Sequence, residues 1–302
     1  MKIEKFKHRQ LINNGMKYLF LICTLIASSM IVLIILFLLF KGIKVFLPNY
    51  EYGAISIQEF IFTPKWDPSQ QAYGIGFIVI QTILSGFGAL LIAVPFSILS
   101  ALYIVKMAPK GIAKVLRSTI DILASIPSVV YGVFASGFIR ILVQNIAILF
   151  HIHTTGNSLL AVILLLAIMI YPTITSLSMN AIASVDDDLI HGSYALGVSP
   201  IETYFTLVLR CAKSGIFAGI ILGLGRVFGE ATAVMMVAGN KMIGPSFSLF
   251  EPTRTLTTTI LSGFKETSGF DYDIRFSIAL VLMIVIICSN LFLNMMKKKV
   301  GK

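Results

Sequence analysis

Charge is scarce in this sequence. Only 13% of its 302 residues are Asp, Glu, Lys or Arg, where soluble domains carry about a quarter. A water-exposed surface cannot be built from so little, which excludes a soluble globular protein. Acidic residues are the scarcer sign, 14 against 24 Lys and Arg. The basic excess does not describe a nucleic-acid binder, because the cations sit at the edges of apolar runs and are not interleaved with aromatics; they read as topology signals. The three cysteines, Cys23, Cys211 and Cys288, lie far apart with no pairing or metal-ligand spacing. They are expected to serve as small apolar fillers.

Catalytic signatures are missing as well. No GxxxxGK followed by Ser or Thr occurs, so the chain is not expected to bind and hydrolyse ATP. HExxH and GxSxG are absent, and His151 and His153, two residues apart, have no further ligands around them. A non-catalytic subunit without metal or cofactor is the expectation.

What the chain does have is apolar length: 57% of residues are hydrophobic and the mean hydropathy is +0.90. Six runs, about Tyr18–Phe40, Ile75–Val105, Thr119–Phe138, Ser158–Ala181, Ser214–Val237 and Phe276–Met295, can each cross roughly 30 Å of hydrocarbon. The fold class is all-α, a polytopic membrane protein. Its expected organisation is a basic N-terminus (1–17), a first membrane helix (18–47), an outer segment (48–74), a core (75–296) holding a cytoplasmic loop (183–213), and a basic tail (297–302). A shorter apolar run, Ile139–Phe150, is interrupted by Arg140, Gln144 and Asn145 and reads as an extension or an interfacial piece. With the N-terminus inside, 15 Lys and Arg fall on inner regions and eight on outer ones, which is expected to place both termini in the cytoplasm.

The organising stretch is Ser214–Asn240, where Arg226 and Glu230 interrupt a span. Burying such an arginine costs roughly 2.5–3.5 kcal/mol even on the lenient insertion scale, so it calls for a function. At about 100° per residue, Gly215, Gly219, Gly223, Arg226 and Glu230 share one helix face. Two readings follow: an i, i+4 ion pair that neutralises itself, or a polar pathway beside close helix contacts.

Other segments add detail. The outer run FTPKWDPSQQAYG, with Phe60, Phe62, Trp66 and Tyr73 in or near it, reads as irregular, either an aromatic belt or a docking surface. Pro95 predicts a kink in the second span. In SIPSVVYG (Ser125–Gly132), Pro127 frees a carbonyl that serines are expected to satisfy. Within the inner loop, Asp186, Asp187 and Asp188 suit a helix N-terminus, and Gly197 and Pro200 divide two short helices, of which the first offers Tyr194, Ala195, Leu196 and Val198 to a partner's groove. Thr253, Thr255, Thr257, Thr258, Thr259 and Ser262 surround Arg254 in an expected re-entrant or interfacial hairpin whose hydroxyls and guanidinium face an oxyanion.

Taken together, ILGLGRVFGEATAVMMVAGN (Ile221–Asn240), SIPSVVYG, FTPKWDP and SLFEPTRTLTTTI resemble the PstC-type permease subunits of bacterial phosphate ABC importers. The resemblance runs from about Phe60 to the last span. It implies a type I importer permease fold and a set of partners: a PstA-type second permease, a dimer of ATP-binding subunits and an extracytoplasmic phosphate-binding protein. The inner loop resembles the EAA loop, with Gly197, Leu207 and Leu209 in register; His191, Gly192 and Ser193 replace the EAA and Arg210 replaces the proline. On this resemblance Arg226 offers charge to phosphate, Glu230 orients it, and Ser128, Thr257, Thr258 and Arg254 line the approach. Tyr194, Ala195, Leu196 and Gly197 are then the coupling contacts to the ATPase. A permease for sulfate, molybdate or phosphonate and an ATP-independent ion-driven carrier are the alternatives.

Overall fold

The computed structural model describes the backbone of residues 2–300 and the side chains of residues 13–298. Lys2, Lys5, Lys7, Arg9 and the end of the basic tail therefore lie outside the described side chains. Thirteen helices are described, beginning with α1 (Lys2–Lys44), α2 (Ile57–Phe62), α3 (Gly76–Leu102), α4 (Lys110–Ser125), α5 (Ser128–Phe134) and α6 (Arg140–Leu149). There follow α7 (Leu159–Ala183), α8 (Asp187–Ala195), α9 (Pro200–Thr203), α10 (Leu209–Gly229), α11 (Thr232–Met235), α12 (Leu256–Leu261) and α13 (Phe270–Val300). Wide π turns continue α3 to Met107, join α5 to α6 and join α9 to α10. Among the described residues, six helical stretches are long and apolar enough to cross a membrane: 13–44, 76–107, 128–149, 159–183, 200–229 and 270–298.

Two spans are displaced from their expected positions, each for a local reason. The third begins at Ser128, not Thr119, because Ile126 and Pro127 are extended (ψ 128° and 142°); proline drives the residue before it out of the helical region. The polar residues upstream of that break form a separate amphipathic helix, α4, and Ile139–Phe150 becomes the second half of the span. The carbonyl freed by Pro127, that of Leu123, accepts from the Tyr131 hydroxyl at 2.7 Å, while Ser125 caps Ile122 instead. Tyrosine, not serine, satisfies it. The fifth span begins at Pro200, capped by Ser199, and runs unbroken past Arg210 and Lys213. The second of the two expected short helices is thus the first turns of a membrane span. Across Pro95, α3 is continuous.

The core is three-helical. α7 packs along α3 on one side and α10 on the other, burying Ile170, Ile174, Leu165, Leu166 and Leu224. α13 lies against α10, and α1 joins α13, the end of α1 meeting the start of α13 where Ser277 donates to the Gly42 carbonyl at 2.7 Å. Elsewhere α1 is exposed from Asn13 to Leu36.

The outer segment is ordered by its aromatics. Trp66–Asp67 (β1) pairs antiparallel with Ala72–Tyr73 (β2). Phe60, Trp66 and Tyr73 are buried, Trp66 and Tyr73 meeting edge to face and Tyr73 stacking on Phe270. Neither a lipid belt nor an open docking face is made by these three rings. Phe62 alone of the four is exposed. The Trp66 amide donates to Met242 at 2.8 Å, Tyr50 donates to Asp273 at 2.8 Å and Tyr73 to Asp271, which ties the segment to the start of α13.

Candidate functional site

Arg226 is positioned by glycines. A Cβ on Gly215 would lie 2.5 Å from that of Ala181, one on Gly219 3.1 Å from that of Leu177, and one on Gly223 2.9 Å from Cγ1 of Ile174. The three glycines therefore let α10 approach α7 more closely than any side chain allows. One turn further, Arg226 emerges beside α7 and donates from Nη1 to Thr173 Oγ1 at 3.0 Å. Thr173 lies near the middle of the 25-residue α7, so the guanidinium sits about halfway along the bundle.

The expected partner is elsewhere. α10 stops at Gly229, and Glu230 is extended (φ −81°, ψ 120°), so the i, i+4 register that would place it under Arg226 does not exist. Glu230 Oε1 instead accepts from the Ala233 amide and the Thr232 hydroxyl, both at 2.9 Å, in the manner of a helix cap on α11. Among the described residues no ion pair joins Arg226 to a carboxylate. Glu230 orients the chain after α10, not the arginine. Glu230→Gln, which keeps an acceptor oxygen at the cap, should leave the thermal midpoint of the purified protein nearly unchanged. Glu230→Ala should cost about 1 kcal/mol, the usual value of a lost cap.

Ser128 joins the same cap, its Oγ 3.3 Å from Thr232 Oγ1. Thr257 donates to the Glu230 carbonyl at 2.8 Å. Thr258 is fully buried and spent on a capping box with Thr255 that starts α12. The hydroxyl-rich segment is thus not a hairpin facing an anion. It is a short helix whose threonines turn inward, Thr253 donating to Gln81 and Thr82 accepting from the Leu256 amide, both at 3.0 Å. Arg254, only 5% exposed, donates to the carbonyls of Lys241 (3.0 Å) and Asn240 (2.8 Å). It lies outside the six spans, and burial, then the nearby Arg275, lowers its pKa to about 10. Arg254 clamps the loop after α11. Arg254→Met should strip two part-buried carbonyls of their donor and destabilise the chain by about 1–3 kcal/mol, read as a lowered unfolding temperature.

The cleft itself is open, about 710 Å³, and lies between α7, α10 and α13. Thr173, Gly225 and Arg226 line its upper part; Asn290, Asn294 and Lys297 line the wall given by α13. Glu230, Ser128, Thr257, Thr258 and Arg254 are outside it. Sequence reading missed Thr173 and the α13 residues; the signal for the latter was a polar i, i+4, i+7 series in an otherwise apolar helix.

At the end of the bundle where α13 finishes, α8 stands out from the spans. Asp186 caps it, accepting from the Asp188 amide at 3.0 Å, and Lys106 at the end of the second span pairs with Asp187 at 3.1 Å. Gly197, in the left-handed region at φ +81°, turns the chain toward Pro200, a conformation that suits glycine. Leu196 is 85% exposed, with Ala195 and Gly197 exposed and Tyr194 half-buried.

Six apolar helices, three of which wall a cationic cleft, with a helical loop displayed at one end, define a membrane-embedded transport component. The sequence matches the family described as binding-protein-dependent transport system inner membrane component over residues 93–302, and the chain belongs to that family. It is 36% identical to the probable ABC transporter permease protein YqgH of Bacillus subtilis (strain 168), covering 94% of this chain and 90% of that protein. It is 31% identical to the phosphate transport system permease protein PstC of Pasteurella multocida (strain Pm70), covering 80% and 82%. The fold is similar to that of a bacterial ABC transporter involved in the import of the acidic polysaccharide alginate, with a TM-score of 0.66 at 16% identity over 97% of this chain and all of that one. The type I importer permease fold implied by the sequence motifs is the one adopted, in a multi-pass inner-membrane protein.

Proposed function

We propose that this chain is the PstC-type permease subunit of an ATP-driven phosphate importer and forms half of its translocation pathway. The observation that carries this is Arg226: a guanidinium at mid-depth, facing an open cleft, with a threonine hydroxyl as its protein partner and, among the described residues, no carboxylate paired with it. Such a cation is costly in a bilayer and attractive to a tetrahedral oxyanion, which its planar donors can grip. Relatives named as phosphate permeases support phosphate as the anion.

The remaining parts follow the same reading. A PstA-type permease supplies the other half of the path, a dimer of ATP-binding subunits hydrolyses the nucleotide, and an extracytoplasmic phosphate-binding protein delivers the substrate. Both termini lie in the cytoplasm. α8 is the coupling element, and Leu196 with Tyr194, Ala195 and Gly197 enters a groove of the ATPase. Thr257, Thr258, Ser128, Arg254 and Glu230 act one step back, by fixing α11 and α12 around the end of α10.

The test is reconstitution. Co-expressed with the second permease and the ATP-binding subunit, the chain should co-purify with both. In vesicles containing loaded phosphate-binding protein, labelled phosphate should accumulate only with ATP, and excess sulfate or molybdate should not compete. Accumulation without nucleotide would identify an ion-driven carrier, and competition by sulfate a different oxyanion permease.

A further inference from the structure

Arg226 shares its cleft with a second set of polar groups. Asn290, Asn294 and Lys297 lie four and three residues apart on α13 and line the facing wall, one helix face by spacing. Between Ser277 and Ser289 the same helix carries only apolar residues and Cys288, so the stripe is confined to its last turns. Asn290 has an unmet need: its side-chain Oδ1 is buried and accepts no hydrogen bond, a condition that costs free energy until a donor arrives. Lys297 closes the series at the end of the bundle that carries α8. The adjacent Lys298 is exposed and does not line the cleft.

A cation at mid-depth, two amides and a cation at the inner mouth match a particular ligand chemistry. Charged oxygens suit Arg226, Lys297 and the amide N–H groups. Turned into the cleft that its residue lines, the unpartnered Asn290 carbonyl takes an O–H donor, which an oxyanion that keeps a proton at neutral pH provides and a fully ionised one does not. We propose that Asn290, Asn294 and Lys297 form the inner half of the anion path, receiving a protonated phosphate from Arg226 and releasing it beside α8. This rests on the reading of Arg226 given above. Asn290 and Lys297 are positioning residues for the leaving anion, and they act after delivery.

The experiment uses the complete importer in vesicles of neutral lipid and, separately, of lipid containing phosphatidylglycerol, with subunit content checked in each preparation. Lys297→Gln and Asn290→Leu should lower the maximal rate of ATP-driven phosphate uptake at least about fivefold while the half-saturating concentration of loaded binding protein stays unchanged, the pattern of a step after binding. Lys297→Arg should restore the rate in both lipids, and Lys298→Gln should match the parent. A loss with Lys297→Gln that appears only in the anionic vesicles would assign the cleft to a lipid phosphate headgroup and overturn the proposal. So would an equal loss with Lys298→Gln. If both Lys297→Gln and Asn290→Leu transport normally while Arg226→Leu does not, the inner track is wrong and the Arg226 reading stands. Normal uptake with Arg226→Leu would remove both.

Discussion

Replacing Arg226 with leucine should reduce ATP-driven phosphate uptake by about a hundredfold or more, the scale seen when a preorganised anion donor is removed from an enzyme site, while the subunit still assembles. Two features separate charge from structure here. The guanidinium closes no ion pair with Glu230, so its removal leaves no carboxylate stranded; the Thr173 hydroxyl that it engages at 3.0 Å can turn back to its own helix backbone. Leucine is also cheaper in lipid than arginine by roughly 3 kcal/mol, so stability should hold or rise. Arg226→Lys keeps the charge but loses the planar fork and should retain a reduced rate. Uptake by reconstituted importer, compared with its ATPase activity and subunit content, checks all three expectations. An Arg226→Leu importer that transported normally would make the cleft incidental.

Much of this architecture was legible because its determinants are local. All six spans are recognisable from apolar length, the third and fifth with shifted bounds, the α8 cap from Asp186, and the chain reversal from Gly197 and Pro200. The glycine row at 215, 219 and 223 pointed correctly to close packing, and the structure adds that α7 is what packs there. The failures share a cause. Hydropathy cannot tell where a long apolar run starts when polar residues are tolerated inside the helix. Span three accordingly moved to Ser128 and span five absorbed Arg210 and Lys213. The assumption of an unbroken helix through Glu230 produced an ion pair that a single extended residue abolishes. Threonine density was similarly misread. Hydroxyls at 253–259 look available in a sequence, yet in the fold they meet Gln81, 172 residues distant, and one another, while Thr82 takes up the Leu256 amide. Thr173, which does face Arg226, sits unremarked among apolar neighbours.

The glycines of α10 allow packing and pathway to be separated within one helix. Gly223→Leu should prevent stable insertion: its Cβ would already approach Ile174 to 2.9 Å, a contact that the fully buried Ile174 cannot relieve by moving its backbone. The further leucine carbons would force α7 and α10 apart, at a cost of about 1–3 kcal/mol or more for overpacking. The subunit should be depleted from membranes, and Arg226 would lose its register with Thr173 in whatever remained. Gly225, two residues on, has nothing within 4 Å of its added Cβ and lines the cleft. Gly225→Leu should therefore insert and co-purify normally, and helix propensity favours leucine over glycine by nearly 1 kcal/mol. Its side chain would instead occupy the space beside Arg226 and slow uptake by about tenfold or more, for want of room for a hydrated anion. Quantifying subunit in washed membranes and uptake per assembled importer reads the two effects independently. Loss of uptake in both variants, with loss of protein only in Gly223→Leu, is the result that a packed glycine face beside an open anion cleft requires. Normal uptake with Gly225→Leu would move the path away from this face of α10.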